Sequence, residues 1–351
     1  MPPEFLLYGA TGFVGEVLAR QAVAQGLRPV VAGRDRTRVE HLADELGVER
    51  RTFSLDDRNA MDAALAEVPA VLNCAGPYLH TAGAMTDGCL RTGTHYLDIT
   101  GELPVYRALA RRDAEARARG VMVLPGVGFD VVPTDCLALH LKQRLPSATH
   151  LTLAFHNDGP ARLPPGTVRT MLELIPGGDR VRVNGELVIP ARGLKARQID
   201  FGSGPRTATR LTWGDVFTAY WSTGIPNIED FMVMSPALAR QLAMVGYVRS
   251  LFRLEAVRNL MGRTVRSGST AEERARTRAS VWGEVLDGEG RSAVSRLHGP
   301  EAGVEWTALA ALSAVRHVLA GDSTPGFQTP ASAYGADFVL ECQGVVREDV
   351  V

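Results

Sequence analysis

Three glycines, Gly9, Gly12 and Gly15, break an apolar run at GxxGxxG spacing in Leu6-Leu7-Tyr8-Gly9-Ala10-Thr11-Gly12-Phe13-Val14-Gly15. A buried parallel strand that turns at once into a helix leaves the first helical N–H groups unpaired, with the positive end of the helix dipole facing outward. A dinucleotide pyrophosphate satisfies both. Gly9 then permits the tight turn, Gly12 lets phosphates approach bare backbone, and Gly15 lets the helix pack on the strand, with Thr11, Phe13 and Val14 in the same cradle. A purely structural glycine turn is the alternative. The apolar strand before it and the amphipathic helix Phe13–Gln25, closed by Gly26, argue for the cradle.

The second run, Pro29-Val30-Val31-Ala32-Gly33-Arg34-Asp35, ends roughly 20 residues further on, where the fingerprint of such sites reads the adenosine ribose. A carboxylate at that tip binds a 2′-hydroxyl, whereas arginine binds a 2′-phosphate. Arg34 occupies the tip and Arg38 follows one turn later, so NADP is the expected cofactor. Asp35 is the dissenting residue, with helix capping as its other role. Asp56 lies beside the adenine in this layout, in a segment that equally suits capping of the next helix.

These groups need a scaffold, and the chain supplies an alternating one. Strands are expected at Arg51–Phe53, Ala70–Cys74, Thr94–Ile99 and Val121–Pro125, with helices at Asn59–Glu67, Gly83–Thr92 and Pro104–Arg119 between them. The pattern is that of an α/β fold with a Rossmann-type, doubly wound parallel sheet, whose ligands lie at the carboxyl ends of the strands. That edge carries Ala75-Gly76-Pro77-Tyr78, then Asp98, Thr100 and Glu102, then Gly126–Asp135 with Asp130. From Thr149 the pattern becomes strand-rich, with Leu151–Phe155, Val181–Val183, Glu186–Ile189, Arg206–Leu211, Arg276–Leu286 and Ser292–Leu297, and predicts a second α+β domain on a mixed sheet. A largely helical stretch is expected from Ile228 to Arg263, carrying Phe231, Met232, Leu238, Met244, Leu254 and Leu260. Helical core is its first reading; an apolar substrate pocket, a partner subunit or peripheral membrane contact are the others.

Bulk properties exclude several classes. The 351 residues are 45% hydrophobic and 22% charged with a net charge of -1, an ordinary globular composition without the basic field of a nucleic-acid binder. Cys74, Cys89, Cys136 and Cys342 are dispersed and no histidine spacing suits a metal, so none is expected. The glycine motif begins close to Met1, leaving no room for a signal peptide, and no apolar run approaches bilayer length, so a cytoplasmic protein is expected.

With the glycine loop, Asn73-Cys74-Ala75-Gly76-Pro77-Tyr78, Tyr96-Leu97-Asp98-Ile99-Thr100-Gly101-Glu102 and Gly128-Phe129-Asp130-Val131-Val132-Pro133-Thr134-Asp135 in order, the chain resembles the saccharopine dehydrogenase-like oxidoreductases. That group includes saccharopine reductases and trans-acting enoyl reductases. The motifs cover about the first 140 residues, and the tail Gly326–Leu340 is also similar. The resemblance implies an NADP-binding domain over residues 1–130, completed by 304–351, and a substrate or dimerisation domain over 131–303, with a homodimer as one option. It implies that Asn73, Ala75, Gly76, Pro77 and Tyr78 run along the cofactor towards the nicotinamide in a cleft between the domains, with Asp98, Glu102 and Asp130 at the reacting centre.

The expected function is an NADPH-dependent reductase acting on a C=C, C=N or C=O group of a small or lipid- or polyketide-like metabolite. A saccharopine-type dehydrogenase acting on an amino-acid-derived imine and a non-catalytic NADP-binding regulator stand beside it. A hydride acceptor gains negative charge as it is reduced and calls for a proton donor or a fixed dipole. Tyr78 offers a phenolic proton or a stacking face, and Glu102 is an acid if burial raises its pKa, or a helix-start carboxylate. Asp98 and Asp130 orient substrate or close a hinge; His80 titrates near neutrality or is solvated. No tyrosine has a lysine four positions later, which weakens a short-chain dehydrogenase arrangement. Imine substrates with carboxylates need cationic anchors, for which Arg162, Arg169, Arg180, Arg182 and Arg192 are candidates.

Overall fold

A computed structural model describes residues 4–162, 164–190, 195–254, 257, 258, 261 and 268–350. Its chain divides into two compact units, one of Met1–Asp130 with Trp306–Ala333 and one of Val131–Glu305 with Tyr334–Val351.

The first unit is an α/β layer structure. Strands β1 (Phe5–Tyr8), β2 (Pro29–Gly33), β3 (Arg50–Thr52), β4 (Ala70–Asn73), β5 (His95–Asp98) and β6 (Met122–Leu124) join β15 (Gly326–Phe327) in a seven-stranded sheet of order β15-β6-β5-β4-β1-β2-β3. Every pairing is parallel. All residues of β1, β2 and β4 are buried, so both faces of the sheet centre are covered, as parallel sheets require. Helix α1 (Phe13–Ala24) packs against α2 (Arg36–Leu46) and against helix Thr307–Leu319, while α3 (Arg58–Leu65), α4 (Tyr78–Thr92), α5 (Leu103–Ala110) and α6 (Asp113–Arg119) form a second group. The strand order reverses between β4 and β1, where the glycine loop leaves β1.

The second unit carries a mixed sheet. Strands β7 (His150–Asp158), β8 (Val181–Val183), β9 (Glu186–Val188), β10 (Ala196–Asp200), β11 (Pro205–Leu211), β12 (Asn227–Val233), β13 (Arg278–Leu286), β14 (Ser292–Gly299) and β16 (Val346–Val350) run in the order β10-β11-β12-β7-β13-β14-β16, with β8 and β9 attached at β12. Only β12 and β7 pair in parallel along that path. The sheet coils so that β10 approaches β13 and β14: Arg296 Nε on β14 donates to the Asp200 carbonyl on β10 at 2.9 Å, and Arg197 on β10 pairs with Glu284 on β13 at 2.5 Å. Ala154, Ile199, Phe201, Ala208, Phe231 and Trp282 fill the space enclosed. Helices α7 (Val132–Arg144) and α8 (Asp215–Thr223) pack together, α7 on β13 and β14 and α8 on β12.

Several expectations need correction. Residues Asn227–Val233 are a strand and not the start of a helix; the helix begins at Pro236, capped by Ser235, whose hydroxyl accepts the Leu238 N–H at 3.2 Å. Ile228 and Asp230 are buried at period two, as a central strand demands. Leu260 and Arg263, at the end of that stretch, lie outside the described residues, as does Arg192. The tail Tyr334–Val351 joins the second unit and not the first, because β16 pairs with β14 over Val346–Val350. Pro104–Arg119 is two helices, and α4 starts at Tyr78, five residues before its expected start.

Candidate active site

The glycine loop is shaped by two close approaches. Gly9 has φ +79, and a Cβ there would stand 2.8 Å from the Ala75 nitrogen and the Cys74 carbonyl carbon. A Cβ on Gly15 would stand 2.2 Å from the Gly9 oxygen, so α1 rests directly on the turn. Gly12 is different. It is exposed, it is the N-cap of α1, no side chain caps the helix, and the nearest atom to a Cβ there is the Gly9 oxygen at 3.2 Å. By contrast α2 and α3 are capped by Asp35 and Asp57. The uncapped end of α1 is therefore a backbone cradle that a side chain would fill, and it fits a pyrophosphate.

At the tip of β2, Arg34 is exposed, and Arg38 donates through Nη2 to the Thr11 carbonyl, tying α2 to the glycine loop. Asp35 accepts the Arg38 N–H at 3.2 Å, so its side chain is occupied with capping. Asp56 is exposed and bonds Ser54; with Arg34 it acts on the Tyr8 phenol, whose pKa is raised first by burial. Tyr8, which the sequence did not single out, donates to the Phe53 carbonyl at 3.3 Å and lies tilted against the Phe53 ring with centroids 5.0 Å apart. The donors Arg34 and Arg38 suit a 2′-phosphate.

The loop after β4 touches this turn and leads to the protic cluster. Asn73 is fully buried and its Oδ1 accepts the Ala75 N–H at 3.1 Å, while the Thr81 hydroxyl donates to the Ala75 carbonyl at 2.7 Å. Gly76 and Pro77 complete the loop and Tyr78 opens α4. Glu102 is fully buried and reaches back across the sheet edge: its oxygens accept the N–H groups of Tyr78 at 2.7 Å and Leu79 at 2.8 Å. This remote cap is the reason α4 begins early. It also makes Glu102 a helix-start carboxylate, but of α4 and not of the helix that follows it in sequence.

Asp98 is a bracket. Fully buried at the end of β5, it accepts the Tyr96 hydroxyl at 2.6 Å and the N–H groups of Thr100 and Gly126 at 2.9 Å each. Burial nonetheless pushes its carboxyl up to about 7, against those hydrogen bonds. The loop from Gly126 is held a second time by Thr307, whose hydroxyl accepts the Phe129 N–H at 3.2 Å, and by Trp306, edge-on to Phe129 at 5.3 Å. Asp130 follows, half-buried, its Oδ2 2.6 Å from the point where a Cβ on Gly101 would stand. Burial, then the Glu102 charge, push Asp130 up to about 7. The Tyr78 phenol feels the whole cluster: burial raises its pKa well above the usual value, with Cys74, Asp98, Glu102 and Asp130 adding to it. Tyr78 is thus a neutral phenol at physiological pH. His80 sits exposed on α4.

Tyr96 and Thr81 are the members of this cluster that sequence reasoning missed. Tyr96 and Asp98 are two apart on one strand and so share a face, which was a usable signal. Among the described residues no group of three or more His, Cys, Asp or Glu side chains suits a metal ion, and no helix is long and apolar enough to cross a membrane. In the second unit, buried Arg182 donates to the Val216 carbonyl at 2.7 Å and lies 3.9 Å over the Tyr220 ring, a structural post. Arg162 pairs with Glu273 at 3.3 Å, Arg180 donates to the Asp179 carbonyl at 2.9 Å, and Arg169 is exposed.

Residues 5–124 match the family model of the saccharopine dehydrogenase NADP binding domain. The match lies within the first unit, over β1 to β6, and is a likeness to an NADP binding domain. A trans-acting enoyl reductase of Mycobacterium leprae (strain TN) is 31% identical over 150 residues, covering 40% of this chain and 36% of that protein. A putative trans-acting enoyl reductase of Mycobacterium tuberculosis (strain ATCC 25618 / H37Rv) is 32% identical over 163 residues, covering 43% and 39%. The matches thus span little more than a third of these curated relatives. Among solved structures, apo histidine-tagged saccharopine dehydrogenase (L-Glu forming) from Saccharomyces cerevisiae superposes with a TM-score of 0.69 at 13% identity, covering 99% of this chain and 100% of that one; the two share a fold.

Proposed function

We propose that this chain is an NADPH-dependent reductase that delivers a hydride to a polarised double bond. The observation that carries the reading is the contact between two features of the first unit. The uncapped, glycine-lined start of α1, with Arg34 and Arg38 beside it, touches at Gly9 the same loop that leads into the buried cluster of Tyr78, Asp98, Glu102 and Asp130. The N–H groups of Phe13, Val14 and Gly15 would hold the pyrophosphate and Arg34 the 2′-phosphate. A bound NADPH would supply the hydride. The protein's own share is a rigid strand-end edge: Asn73 and Thr81 fix the loop, Glu102 fixes the start of α4, and Asp98 fixes the Gly126–Asp130 segment, so that protic groups are presented without reorganisation.

The names of the relatives favour an enoyl acceptor, a C=C bond conjugated to a carbonyl, over the imine of a saccharopine-type reaction. The test is transfer of label from stereospecifically deuterated NADPH to enoyl thioester, imine and ketone acceptors. The expected result is transfer from one face of the nicotinamide to the enoyl thioester. NADPH binding without transfer to any of the three overturns the reductase reading in favour of a nucleotide-binding regulator.

A further inference from the structure

Helix α9 (Pro236–Val248) follows β12 in the second unit, and Arg240, Gln241 and Tyr247 are its only polar side chains. A helix that is apolar on nearly every side belongs in a protein core or in lipid. Among the described side chains of α9, however, only Ala239 is buried; Leu238, Leu242 and Met244 are exposed, Met244 by 70%. The exposed apolar surface continues past the helix at Leu251 and Leu254, while Phe252 between them is buried and anchors the helical turn Arg249–Arg253.

The same segment is basic. Residues 236–266 hold six arginines, Arg240, Arg249, Arg253, Arg258, Arg263 and Arg266, against one acid, Glu255, in a chain whose net charge is -1. Arg249 packs against Gly178, and Arg258 donates through Nη1 to the Phe252 and Arg253 carbonyls at 2.7 and 2.9 Å, so these two brace the turn. Arg240 and Arg253 are exposed and interleave in sequence with the exposed apolar residues, Arg240 donating Nε to the Pro236 carbonyl of its own helix at 3.2 Å.

We propose that α9 and the turn Arg249–Arg253 form an interfacial docking surface for membranes of anionic lipid. Apolar side chains that alternate with arginine suit such a surface: the apolar groups enter the acyl boundary while the guanidinium groups stay with the headgroup phosphates. A second copy of this chain is a poorer occupant, because it would bring the same arginines, like charge against like. With 13 residues, α9 is about 20 Å long, shorter than the bilayer's hydrocarbon core of about 30 Å, so it lies in the interface plane and does not span it. The surface belongs to the second unit and is independent of the reductase reading.

The experiment is co-sedimentation of the full chain with vesicles of phosphatidylcholine alone and of equal parts phosphatidylcholine and phosphatidylglycerol. Binding to the mixed vesicles is expected to be at least about tenfold stronger, since each exposed arginine near an anionic surface is worth about fivefold. It should fall steeply between about 0.1 M and about 1 M salt, as screening shortens the reach of the charges. Arg240→Ala and Arg253→Ala should each weaken binding about fivefold, and Leu242→Asp with Met244→Asp should abolish it while the thermal unfolding midpoint stays near that of wild type. If the double variant does not fold, the lipid and salt comparisons on the wild-type chain decide alone. No binding to the mixed vesicles, or equal binding to both kinds, overturns the proposal. Self-association of the wild-type chain without lipid that is lost in the Leu242→Asp, Met244→Asp variant overturns it in favour of a second copy on this surface.

Discussion

Gly12 and Gly15 stand three residues apart in one motif, yet replacing them should do opposite things. In Gly15→Ala the new methyl would lie 2.2 Å from the Gly9 oxygen and 3.0 Å from the Ala10 Cα. Ordinary carbon–oxygen contact is more than an ångström longer, and the obstacle is backbone in a buried turn, so the start of α1 must lift off β1. Overpacking of this kind costs about 1–3 kcal/mol, and the upper half of that range is expected because no flexible side chain can yield. For a unit of this size that is a fall in Tm of about 4–10 °C. In Gly12→Val the Cβ meets only the Gly9 oxygen at 3.2 Å, and the backbone, at φ -78 and ψ 165, is open to any residue. The stability cost is expected below about 1 kcal/mol.

For the nucleotide the order reverses. Valine at position 12 puts a branched side chain into the cradle and denies the pyrophosphate its approach to the helix N–H groups. Losing two charge-assisted hydrogen bonds at about 1.5 kcal/mol each weakens NADPH binding by at least about 100-fold. The assays are thermal unfolding without ligand and NADPH binding by its fluorescence, on both variants. Gly12→Val binding NADPH within threefold of wild type would refute the cradle. A Gly15→Ala protein as stable as wild type would refute the close-packing argument.

Two further perturbations test other parts of the structure. Arg34→Ala should weaken NADPH by about tenfold, the worth of one charge-assisted pair to phosphate, and NADH by less than twofold; equal losses would place the 2′-phosphate elsewhere. Asp230, fully buried on β12 beside the Trp213 and Val216 backbone, is pushed up to about 8 by burial. Its folded pKa is raised above the unfolded value of about 3.9, so the folded state keeps a proton that the unfolded state loses, and wild-type stability declines as pH rises between these values, by up to ~1.4 kcal/mol per pH unit. Asp230→Asn has no such dependence. Its urea midpoint should therefore gain on wild type steadily from pH 5 to 8, and a gap independent of pH removes the argument.

The first unit was legible because its central strands, buried on both faces, are written as unbroken apolar runs between helices. The cradle was legible for the same reason that it exists: only glycine permits the Gly9 turn and the Gly15 contact. The second unit was harder. β12 carries a buried aspartate in its centre and runs into a Ser-Pro helix start, so its apolar residues merged with those of the helix beyond. β10 is short and polar, and β16 pairs with β14 from the far end of the chain, a relation that no local pattern contains.

The protic cluster shows the same division at the level of single residues. Asp98, Glu102 and Asp130 look alike in sequence, carboxylates following parallel strands, and a reading by type assigns all three to the reacting centre. What separates them is where the donors are. Asp98 finds its donors at Tyr96 and Thr100, two residues away on either side, and at Gly126; Glu102 finds its own 24 and 23 positions upstream, at the start of α4. Backbone donors on other elements therefore make Asp98 and Glu102 structural members, a role that neither residue type nor sequence position reveals. The Glu102 cap also couples the two halves of the site. It fixes the start of α4, and with it Tyr78, while its charge adds to the burial that raises Asp130, so the backbone of one element and the proton affinity of the other depend on one buried side chain.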